Sequence, residues 1–593
     1  MRLSLVQFRP GKGNYAENLG RVGRLFAGLA ARQDPPDLLL FPEAALTGYL
    51  LEGGVRDLAV SAGALFTQLE TEHAKAKAPS VDVAIGFYEH HRGTLHNASL
   101  YARLGGPDAG IVHVHRKMFL PTYGVFDEER FTEPGLSLRA FDTQFGRLGV
   151  LICEDAWHSI TPAVVALQGA QLVLIHSASP AQGIQPLDEA GSRPVNVSRW
   201  ERTARYVAEE HGVWVAVSQL VGFEGGKGFA GGSVVVSPRG DIVARGPLWE
   251  EAQVEVLVDF QEVGRARADL PLLSDLQTRL PHLIRSLEAG PEPPGGASVE
   301  HVPAAGRDAA RVSRALPLAQ PADPMAFDAA LVERWLIEFL REEVRGQRCF
   351  DNVVVGLSGG VDSALVAYLA AKAFGHDHVY AFALPHRTSN PESLAHARLV
   401  AERLGIALRV VEITDAVDGY VKAAEPDADA ARCGNVMARQ RMIVLFDQSA
   451  KLRALPLGTG NKTERLLGYF TWHADDSPPI NPIGDLFKTQ VWALARHMGV
   501  PEEIIGKPAT ADLVKGQTDE GDLGISYRKA DLVLYWLLRG FRPEDIARMG
   551  FTAEEVRTVR SRLDSTHWKR RLPTVAMLSP TAIGEYYLRP ADY

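Results

Sequence analysis

Cysteine is scarce in this sequence, whose 593 residues include only Cys153, Cys349 and Cys433. The three are far apart, and none belongs to a CxxC motif or to a Cys/His cluster. This spacing does not support a disulfide framework or a structural zinc site, and it favours a reducing compartment.

Long apolar runs and targeting signals are missing as well. No segment reaches about 18 consecutive apolar residues, so we expect no transmembrane helix. The N-terminal residues MRLSLVQFRPGKG lack a basic region followed by an apolar core, and therefore do not resemble a signal peptide. We predict a cytoplasmic protein with no membrane partner.

An excess of positive charge is also absent. The chain has 63 Lys and Arg against 72 Asp and Glu, a net charge of -9. Because nucleic-acid-binding proteins usually present a basic surface, no nucleic-acid partner is expected. The composition, with 46% hydrophobic and 23% charged residues, is typical of a globular protein.

The length suits two domains of catalytic size joined by a linker. The segment Ala289–Pro324 is rich in Pro, Gly and Ala and is interpreted as linker. On both sides of it, short apolar runs typical of strands alternate with helical patterns, which predicts two unrelated α/β domains. We place them at residues 1–263 and 325–593, with residues 264–324 as the connecting segment.

A phosphate-binding loop is predicted in the C-terminal half. The apolar run Val353–Leu357 leads into SGGVDS, residues 358–363, and a helical pattern follows directly. Glycines let backbone N–H groups approach an anion, and the helix N-terminus adds partial positive charge. The alternative is a turn that only caps the helix. The Walker A lysine and the GxGxxG pattern are both absent, which argues against γ-phosphoryl transfer and dinucleotide redox chemistry.

SGGVDS resembles the loop of the ATP pyrophosphatases, which activate a substrate as an adenylate and release pyrophosphate. The rest of the C-terminal half is similar to the NAD synthetases from Met325 to Pro573. Similar segments follow in the family's order: GNVMARQRM (434–442), LGTGNKTERLLGYFT (457–471), NPIGDLFKTQV (481–491) and GQTDEGDLGISY (516–527). The resemblance implies a Rossmann-like domain with a parallel sheet.

This resemblance also implies roles for individual residues. The ATP-binding residues would be Gly356, Ser358, Gly359, Gly360, Asp362, Ser363, Thr459 and Lys488. Those that bind nicotinic acid adenine dinucleotide would be Asn435, Arg439, Glu464 and Lys569. Asp362 and Glu464 would hold Mg²⁺, which neutralises charge on the leaving pyrophosphate.

The catalytic position of the synthetase half has two candidates. Asp475 falls where the family has its catalytic aspartate, and could take a proton from attacking ammonia. The chain reads HADDSPP at this point, so the adjacent Asp476 competes for the role. Each charged residue taken alone could instead belong to an exposed ion pair.

Cys153 is the candidate nucleophile of the N-terminal half. It lies in VLICEDAW, after an apolar strand. A lone cysteine in a strand is usually a small core residue, but Glu154 and Asp155 are unusual neighbours for simple core packing. A nucleophilic thiol needs a base and donors for an oxyanion. Glu43 in LLLFPEAALTGY and Lys117 in HVHRKMFLP follow apolar strands in the same way.

Glu43, Lys117 and Cys153, with their surrounding FPE, RKMFLP and CED, resemble the Glu–Lys–Cys triad of the nitrilase superfamily. The resemblance implies an α-β-β-α sandwich in which Glu43 is the general base and Lys117 stabilises the oxyanion and lowers the thiol pKa. Glu128 would be a second, orienting carboxylate. The glutamine-binding candidates are Tyr123, Glu154, Ser177 and Ser179. Taken alone, Glu43 would more often be a surface carboxylate and Lys117 a surface ammonium group.

A nitrilase-like amidase fused to an NAD synthetase domain resembles the glutamine-dependent NAD synthetases. The resemblance implies that glutamine hydrolysis supplies ammonia, which amidates an adenylated dinucleotide to give NAD⁺. Free ammonia is mostly protonated at neutral pH, so delivery inside the protein has a chemical reason. It also implies a homo-oligomer, at least a dimer formed through the synthetase domains.

Three alternatives stay open. The N-terminal half could be a scaffold for a synthetase that uses free ammonia. The chain could be another ATP pyrophosphatase amidotransferase, such as a GMP or asparagine synthetase, although an N-terminal-cysteine glutaminase would need Cys where Arg2 stands. It could also act on nucleic acid, which the net charge disfavours.

Overall fold

A computed structural model describes residues 1–51, 54–185, 193–289, 323–513 and 518–571. The predicted linker therefore lies largely outside the described residues, as do Gly516 and Gln517 of the GQTDEGDLGISY segment. The described residues form two α/β domains.

The N-terminal domain is built from strands and helices with the following bounds. Its strands are β1 (Arg2–Gln7), β2 (Leu38–Leu40), β3 (Val81–His91), β4 (Thr94–Leu104), β5 (Gly110–Arg116), β6 (Phe141–Asp142), β7 (Arg147–Ile152), β8 (Leu172–Ser177), β9 (Trp214–Gln219), β10 (Val221–Glu224), β11 (Lys227–Ala230), β12 (Val234–Val236), β13 (Ile242–Arg245) and β14 (Ala252–Leu257). Its helices are α1 (Tyr15–Ala30), α2 (Val55–Leu58), α3 (Ala62–Ala76), α4 (Ile160–Leu167), α5 (Val195–His211), α6 (Gln261–Asp269) and α7 (Leu272–Ala289).

Two sheets of this domain stack face to face between outer layers of helices. Their strand orders are β14-β1-β2-β3-β4-β5 and β13-β12-β9-β8-β7-β6. Side chains alternate along each strand: Leu172 and Leu174 of β8 pack between the sheets, whereas Val173 and Ile175 pack under the helices. Both faces of these strands are buried, which is why their sequences are continuous apolar runs. The predicted α-β-β-α sandwich is confirmed.

The C-terminal domain contains a parallel sheet with helices on both faces. Its strands are β15 (Asn352–Gly356), β16 (Val379–Ala383), β17 (Ala407–Val410) and β18 (Ala454–Pro456), in the order β17-β16-β15-β18. Its helices are α8 (Ala329–Arg341), α9 (Val361–Phe374), α10 (Pro391–Leu404), α11 (Thr414–Ala424), α12 (Ala430–Leu452), α13 (Lys462–Leu467), α14 (Lys488–His497), α15 (Glu502–Ile505), α16 (Asp519–Leu523), α17 (Tyr527–Leu538), α18 (Pro543–Arg548) and α19 (Ala553–Ser565).

The sheet of the C-terminal domain has a separate core on each face. Helices α9 and α14 pack in the larger core, and α11 and α12 in the smaller one. Helices α16 to α19 form a further apolar cluster with α13. Strand β15 and helix α9 are central, so the loop between them opens at the carboxyl edge of the sheet, where α/β proteins usually bind ligands. The predicted Rossmann-like architecture is confirmed.

The two domains touch through the hairpin β10–β11 and helix α8. Trp249 lies 5.0 Å from Trp335, and Phe223 lies 6.0 Å from Phe339, between ring centroids. The backbone N–H of Gly226 donates to Glu343 at 3.1 Å. The contact is therefore apolar at its centre and polar at its edge.

The proposed domain limits stay a prediction, but the connecting segment begins with structure. Helix α7 places Leu273 in the core under the second sheet, so its first turn packs with the N-terminal domain, whereas residues 281–289 are exposed. Among the described residues, no helix is both long and apolar enough to span a membrane.

Candidate active sites

Cys153 occupies a sharp turn at the end of β7. Its backbone has φ +44, a left-handed conformation that side chains other than glycine rarely adopt, and a short 3₁₀ helix, Cys153–Trp157, starts here. The hydroxyl of Ser177, at the end of β8, points at the sulfur from 3.8 Å. Burial, followed by the charge of Glu43, raises the pKa of the Cys153 thiol well above its usual value, and Lys117 opposes this shift. The thiol therefore needs a nearby base to react.

Glu43 and Lys117 meet beside this turn. Each follows a strand, β2 and β5 respectively, and Lys117 Nζ donates to Glu43 Oε1 at 2.8 Å. Gly86 of β3 permits the approach, because a Cβ there would lie 2.7 Å from the Cα of Glu43. Lys117 Nζ also donates to Glu128 Oε2 at 2.6 Å.

The charge balance of this cluster is two carboxylates to one ammonium. Burial and Glu128 raise the pKa of Glu43, whereas Lys117 lowers it. Burial alone would lower the pKa of Lys117, but Glu128 and Glu43 outweigh it and raise that pKa well above its usual value. Lys117 is therefore a fixed cation, and its third N–H bond is available to an oxyanion.

Neutral donors complete the surroundings of the two carboxylates. Asn97 of β4 donates to Glu43 Oε1 at 2.8 Å and also to Glu128. The hydroxyl of Tyr49 donates to Glu128 Oε2 at 3.0 Å. The backbone N–H of Ala178 donates to Glu43 Oε2 at 2.8 Å. These contacts fix both carboxylates in place.

The predicted glutamine-binding residues are not all in one place. The hydroxyl of Tyr123 donates to Glu154 Oε2 at 2.8 Å, on the exposed side of the Cys153 turn. Ser177 contacts the sulfur, as described. Ser179 instead accepts a hydrogen bond from Asn196 of α5 at 3.2 Å. A glutamine pocket formed by all four stays a prediction.

In the C-terminal domain, the SGGVDS loop crosses from β15 to α9 as expected. Gly359 has φ +77, and a Cβ there would lie 2.1 Å from the backbone oxygen of Ser393. Only glycine fits, for both reasons. The Ser358 and Ser363 hydroxyls lie 3.1 Å apart, and helix α9 begins at Val361 with no side-chain cap. Its first N–H groups are thus available to an anion.

Asp362, Glu464 and Lys488 converge opposite this loop. Lys488 Nζ donates to Asp362 Oδ2, and to Glu464 Oε1 at 3.4 Å. Asn461 donates to Asp362 Oδ1 at 2.9 Å and caps α13, which fixes Glu464. Burial raises the pKa of Glu464, and Asp362 raises it further against the opposing effect of Lys488. Without a bound cation, Glu464 therefore keeps its proton to higher pH than an ordinary carboxyl group.

This donor set fits Mg²⁺. Carboxylate oxygens are its preferred protein ligands, and it usually takes only one or two of them, together with phosphate oxygens and water. Among the described residues, no group of three or more His, Cys, Asp or Glu side chains is arranged to hold a metal. Asp362 and Glu464 alone would suffice only with phosphate oxygens present.

A cavity of about 270 Å³ joins these groups. The predicted residues that line it are Gly356, Ser358, Gly360, Asp362, Ser363, Thr459, Glu464, Asp475 and Lys488. Arg441, Lys507 and Asp519 line it as well, and the sequence analysis did not select them. Arg441 is the second arginine of GNVMARQRM, so its motif could have indicated it.

Asn435, Arg439 and Lys569 lie around the loop that carries Asp475. Thr471 donates to Asn435 Oδ1 at 3.0 Å, and Lys569 Nζ donates to the backbone oxygens of Gly468 and Phe470, each at 2.9 Å. Arg439 donates to the backbone oxygen of Trp472 at 3.1 Å. None of the three lines the cavity itself, but the loop that they contact contributes Thr471 and Asp475 to its wall, and their binding of the dinucleotide stays a prediction.

Asp475 is the better placed of the two candidate proton acceptors. It lines the cavity, and its Oδ1 accepts a hydrogen bond from the backbone N–H of Thr471 at 2.9 Å. The surrounding protein and Asp476 raise the pKa of Asp475, although the residue still reaches solvent. Asp476 accepts from the backbone N–H of Ala474 at 3.1 Å.

Comparison with known proteins identifies both halves. A carbon-nitrogen hydrolase model matches residues 2–268, and an NAD synthase model matches residues 332–573. The NH(3)-dependent NAD(+) synthetase of Trichlorobacter lovleyi is 48% identical over 264 residues, which are 44% of this chain and 96% of that protein. The glutamine-dependent NAD(+) synthetase of Thermotoga maritima is 30% identical over 610 residues, covering 100% of this chain and 98% of that protein. The chain belongs to the glutamine-dependent NAD(+) synthetases.

The solved structure of the glutamine-dependent NAD+ synthetase from Acinetobacter baumannii agrees in fold. It has a TM-score of 0.65 at 24% identity and covers 97% of this chain and 95% of that one. Both domains of this NAD(+) synthetase therefore have the fold that their sequences predict.

Sequence reasoning missed Asn97 and Tyr49 in the glutaminase half of this NAD(+) synthetase. Tyr49 donates to Glu128 and Asn97 donates to Glu43, but neither is itself a charged residue. A usable signal was present for Asn97, since it is polar at an inward-facing position of a buried strand. Tyr49 is the last residue of the segment LLLFPEAALTGY, so that segment could have indicated it.

Proposed function

We propose that this enzyme makes NAD⁺ from nicotinic acid adenine dinucleotide, ATP and glutamine, with a different active site for each half-reaction. The observation that carries the proposal is that one chain holds both a buried Glu43–Lys117–Cys153 cluster and a phosphate-binding cavity around SGGVDS. The first suits amide hydrolysis through a thioester, and the second suits adenylation.

In the glutaminase half, the Cys153 sulfur attacks the side-chain carbonyl of glutamine. Glu43 takes the thiol proton and passes it to the departing ammonia, which leaves a γ-glutamyl thioester. The free N–H bond of Lys117 faces the developing oxyanion. Water then attacks the thioester with Glu43 again as base, which releases glutamate and restores the thiol.

In the synthetase half, the nicotinate carboxylate attacks the α-phosphate of ATP and displaces pyrophosphate. The SGGVDS loop and Lys488 hold phosphate oxygens as charge shifts onto the leaving group. When bound, Mg²⁺ would be held by Asp362 and Glu464 and would neutralise charge on that group. Ammonia then attacks the adenylate, Asp475 accepts its surplus proton, and AMP leaves.

Three finer statements belong to the same proposal. Magnesium should be required for synthesis, because two carboxylates face the phosphate loop with one lysine between them. Ammonia should pass between the sites inside the protein, since water would protonate it. The chain should form at least a dimer through its synthetase domains, and light scattering would measure this.

The first test follows NAD⁺ formation with glutamine or with ammonium, on the wild type and on Cys153→Ala. Wild type should use both nitrogen sources, and the variant should use only ammonium. Cys349→Ala is the matched control, because Cys349 is a free, exposed cysteine in the other domain. Synthesis from ammonium alone in the wild type would make the N-terminal domain a scaffold. No NAD⁺ from either source would contradict the proposed substrate.

A further inference from the structure

Asn97 is paired with Lys117 through the backbone. It lies in β4 and is 1% exposed, and the Lys117 N–H donates to the Asn97 backbone oxygen at 2.9 Å. The two side chains therefore start from neighbouring positions, one on β4 and the other directly after β5. No sequence motif of the active site includes Asn97.

The side-chain amide of Asn97 bridges the two carboxylates. Its nitrogen has two N–H bonds, and these point to Glu43 Oε1 and Glu128 Oε1. In the opposite amide orientation, the amide oxygen would face two carboxylate oxygens and be repelled by both. The assignment of the nitrogen therefore follows from electrostatics. Lys117 bridges the same two carboxylates with its ammonium group.

Asn97 supplies donors without adding charge. A second cation here would cancel the negative charge that lets Glu43 act as a base, and an apolar residue would leave the buried carboxylates with fewer donors. The hydrogen bond from Asn97 acts with Lys117 to lower the pKa of Glu43, against the larger effect of burial. A neutral double donor suits both requirements.

We propose that Asn97 is a positioning residue of the glutaminase reaction, which aligns Glu43 and Glu128 on Lys117 and keeps Glu43 available as a base at neutral pH. The inference rests on the proposed glutamine hydrolysis at Cys153. Asn97 itself does not touch the sulfur and acts through Glu43.

Other titratable groups also surround Glu43 and must be considered. They are Tyr49 in the loop after β2, Tyr88 in β3, Lys117 directly after β5, Glu128 in the 3₁₀ helix at 128–130, Cys153 in the turn after β7, and His176 in β8. Burial raises the pKa of both tyrosines well above its usual value and lowers that of His176 to about 3, so these three stay neutral near pH 7.

Two substitutions at Asn97 test the inference. Asn97→Leu removes both donors at similar size, and Asn97→Asp replaces the N–H donor with a third carboxylate. Tyr101→Phe is the matched control: it lies on the same face of β4, and its buried hydroxyl donates to Asp82 at 2.7 Å, away from Glu43. Ammonium-dependent NAD⁺ synthesis by the same full-length variants reports whether they fold.

We expect glutaminase kcat to fall by about 10- to 100-fold in Asn97→Leu, the range for losing hydrogen bonds to a charged group. The rate of Cys153 alkylation by iodoacetamide should begin to rise at a higher pH than in wild type, because Glu43 would stay protonated to higher pH. This rising part of the pH profile is called the acid limb. Asn97→Asp should move this acid limb at least as far, through repulsion between carboxylates. Tyr101→Phe should keep the wild-type limb.

A glutaminase kcat in Asn97→Leu within about twofold of wild type would overturn the inference, as would a loss of activity with an unmoved acid limb. The second result would make Asn97 merely structural. If Asn97→Leu also loses ammonium-dependent synthesis, Asn97→Asp decides by the same limb. A wild-type enzyme that is alkylated at Cys153 but does not hydrolyse glutamine would contradict the proposed function instead. The pH dependence of alkylation in the Asn97 variants would then be the remaining test of the role of Asn97.

Discussion

At the scale of single residues, the glutaminase site is a problem of buried charge. Glu43 and Lys117 are both fully buried, and Glu128 nearly so. A buried ion pair contributes little net stability when complete, because desolvation opposes the attraction. Removal of one partner leaves an uncompensated buried charge and is costly. We therefore expect Lys117 to stabilise the fold in addition to its proposed part in the reaction.

Lys117→Met should abolish glutamine hydrolysis and lower the free energy of unfolding by about 3–5 kcal/mol, the usual cost of breaking a buried pair. Denaturant unfolding of the full chain measures the second effect. Lys75→Met is the control: its exposed pair with Glu72 joins residues three apart on α3, so the expected change is within about 1 kcal/mol. Equal changes in the free energy of unfolding for the two substitutions would show that the ion pairs of Lys117 do not stabilise the fold.

At the scale of elements, one buried carboxylate joins three helices of the synthetase half. Asp531 of α17 accepts from the Thr463 hydroxyl of α13 at 2.6 Å, and from the Thr489 backbone N–H of α14 at 2.8 Å. These helices also carry Glu464 and Lys488. Asp531 thereby fixes the first turns that hold Glu464 and Lys488 beside Asp362 of the SGGVDS loop.

Asp531→Ala should reduce ammonium-dependent NAD⁺ synthesis and destabilise the chain by about 2–4 kcal/mol, because the Thr463 hydroxyl and the N–H and hydroxyl groups of Thr489 lose their acceptor. Glutaminase activity should stay near wild type, since that site lies in the other domain. Asp545→Ala, which removes only an exposed pair with Arg548, is the control. Equal rates of NAD⁺ synthesis in the two variants would show that Asp531 does not position Glu464 and Lys488.

At the scale of the whole molecule, the contact between domains reaches toward the glutaminase site. The hairpin β10–β11 packs Phe223 against Trp249 and Phe339. The next residue, Glu224, accepts hydrogen bonds from the backbone N–H groups of Tyr49 and Leu50. Because the Tyr49 hydroxyl binds Glu128, the synthetase domain supports the hairpin that holds this loop.

Trp335→Ala on α8 should therefore lower glutaminase activity several-fold while ammonium-dependent synthesis is preserved. The reason is that the hairpin loses part of its apolar support, and the Tyr49 loop with it. The steady-state rates of the two reactions, measured on the same preparation, check this. Leu538→Ala, an exposed apolar position in the same domain, should change neither rate. An unchanged glutaminase rate in Trp335→Ala would mean that the hairpin is rigid without α8.

The sequence by itself indicated two α/β domains, their order, and the principal charged residues of each site, but not Arg441, Lys507 or Asp519 of the synthetase cavity. Glu43, Lys117 and Cys153 each follow an apolar strand, and SGGVDS lies between a strand and a helix. Local patterns of this kind are readable because strand period, glycine and charge are properties of a few consecutive residues.

Only the tertiary structure decided which side chains outside the sequence motifs complete the sites. Asn97 lies 54 residues from Glu43 in the chain, and Asp531 lies 68 from Thr463. Such pairs have no local signature, because their hydrogen bonds exist only when distant strands and helices have packed. Their value also depends on burial, since an amide or a carboxylate gains its effect on a neighbouring charge only where water is excluded.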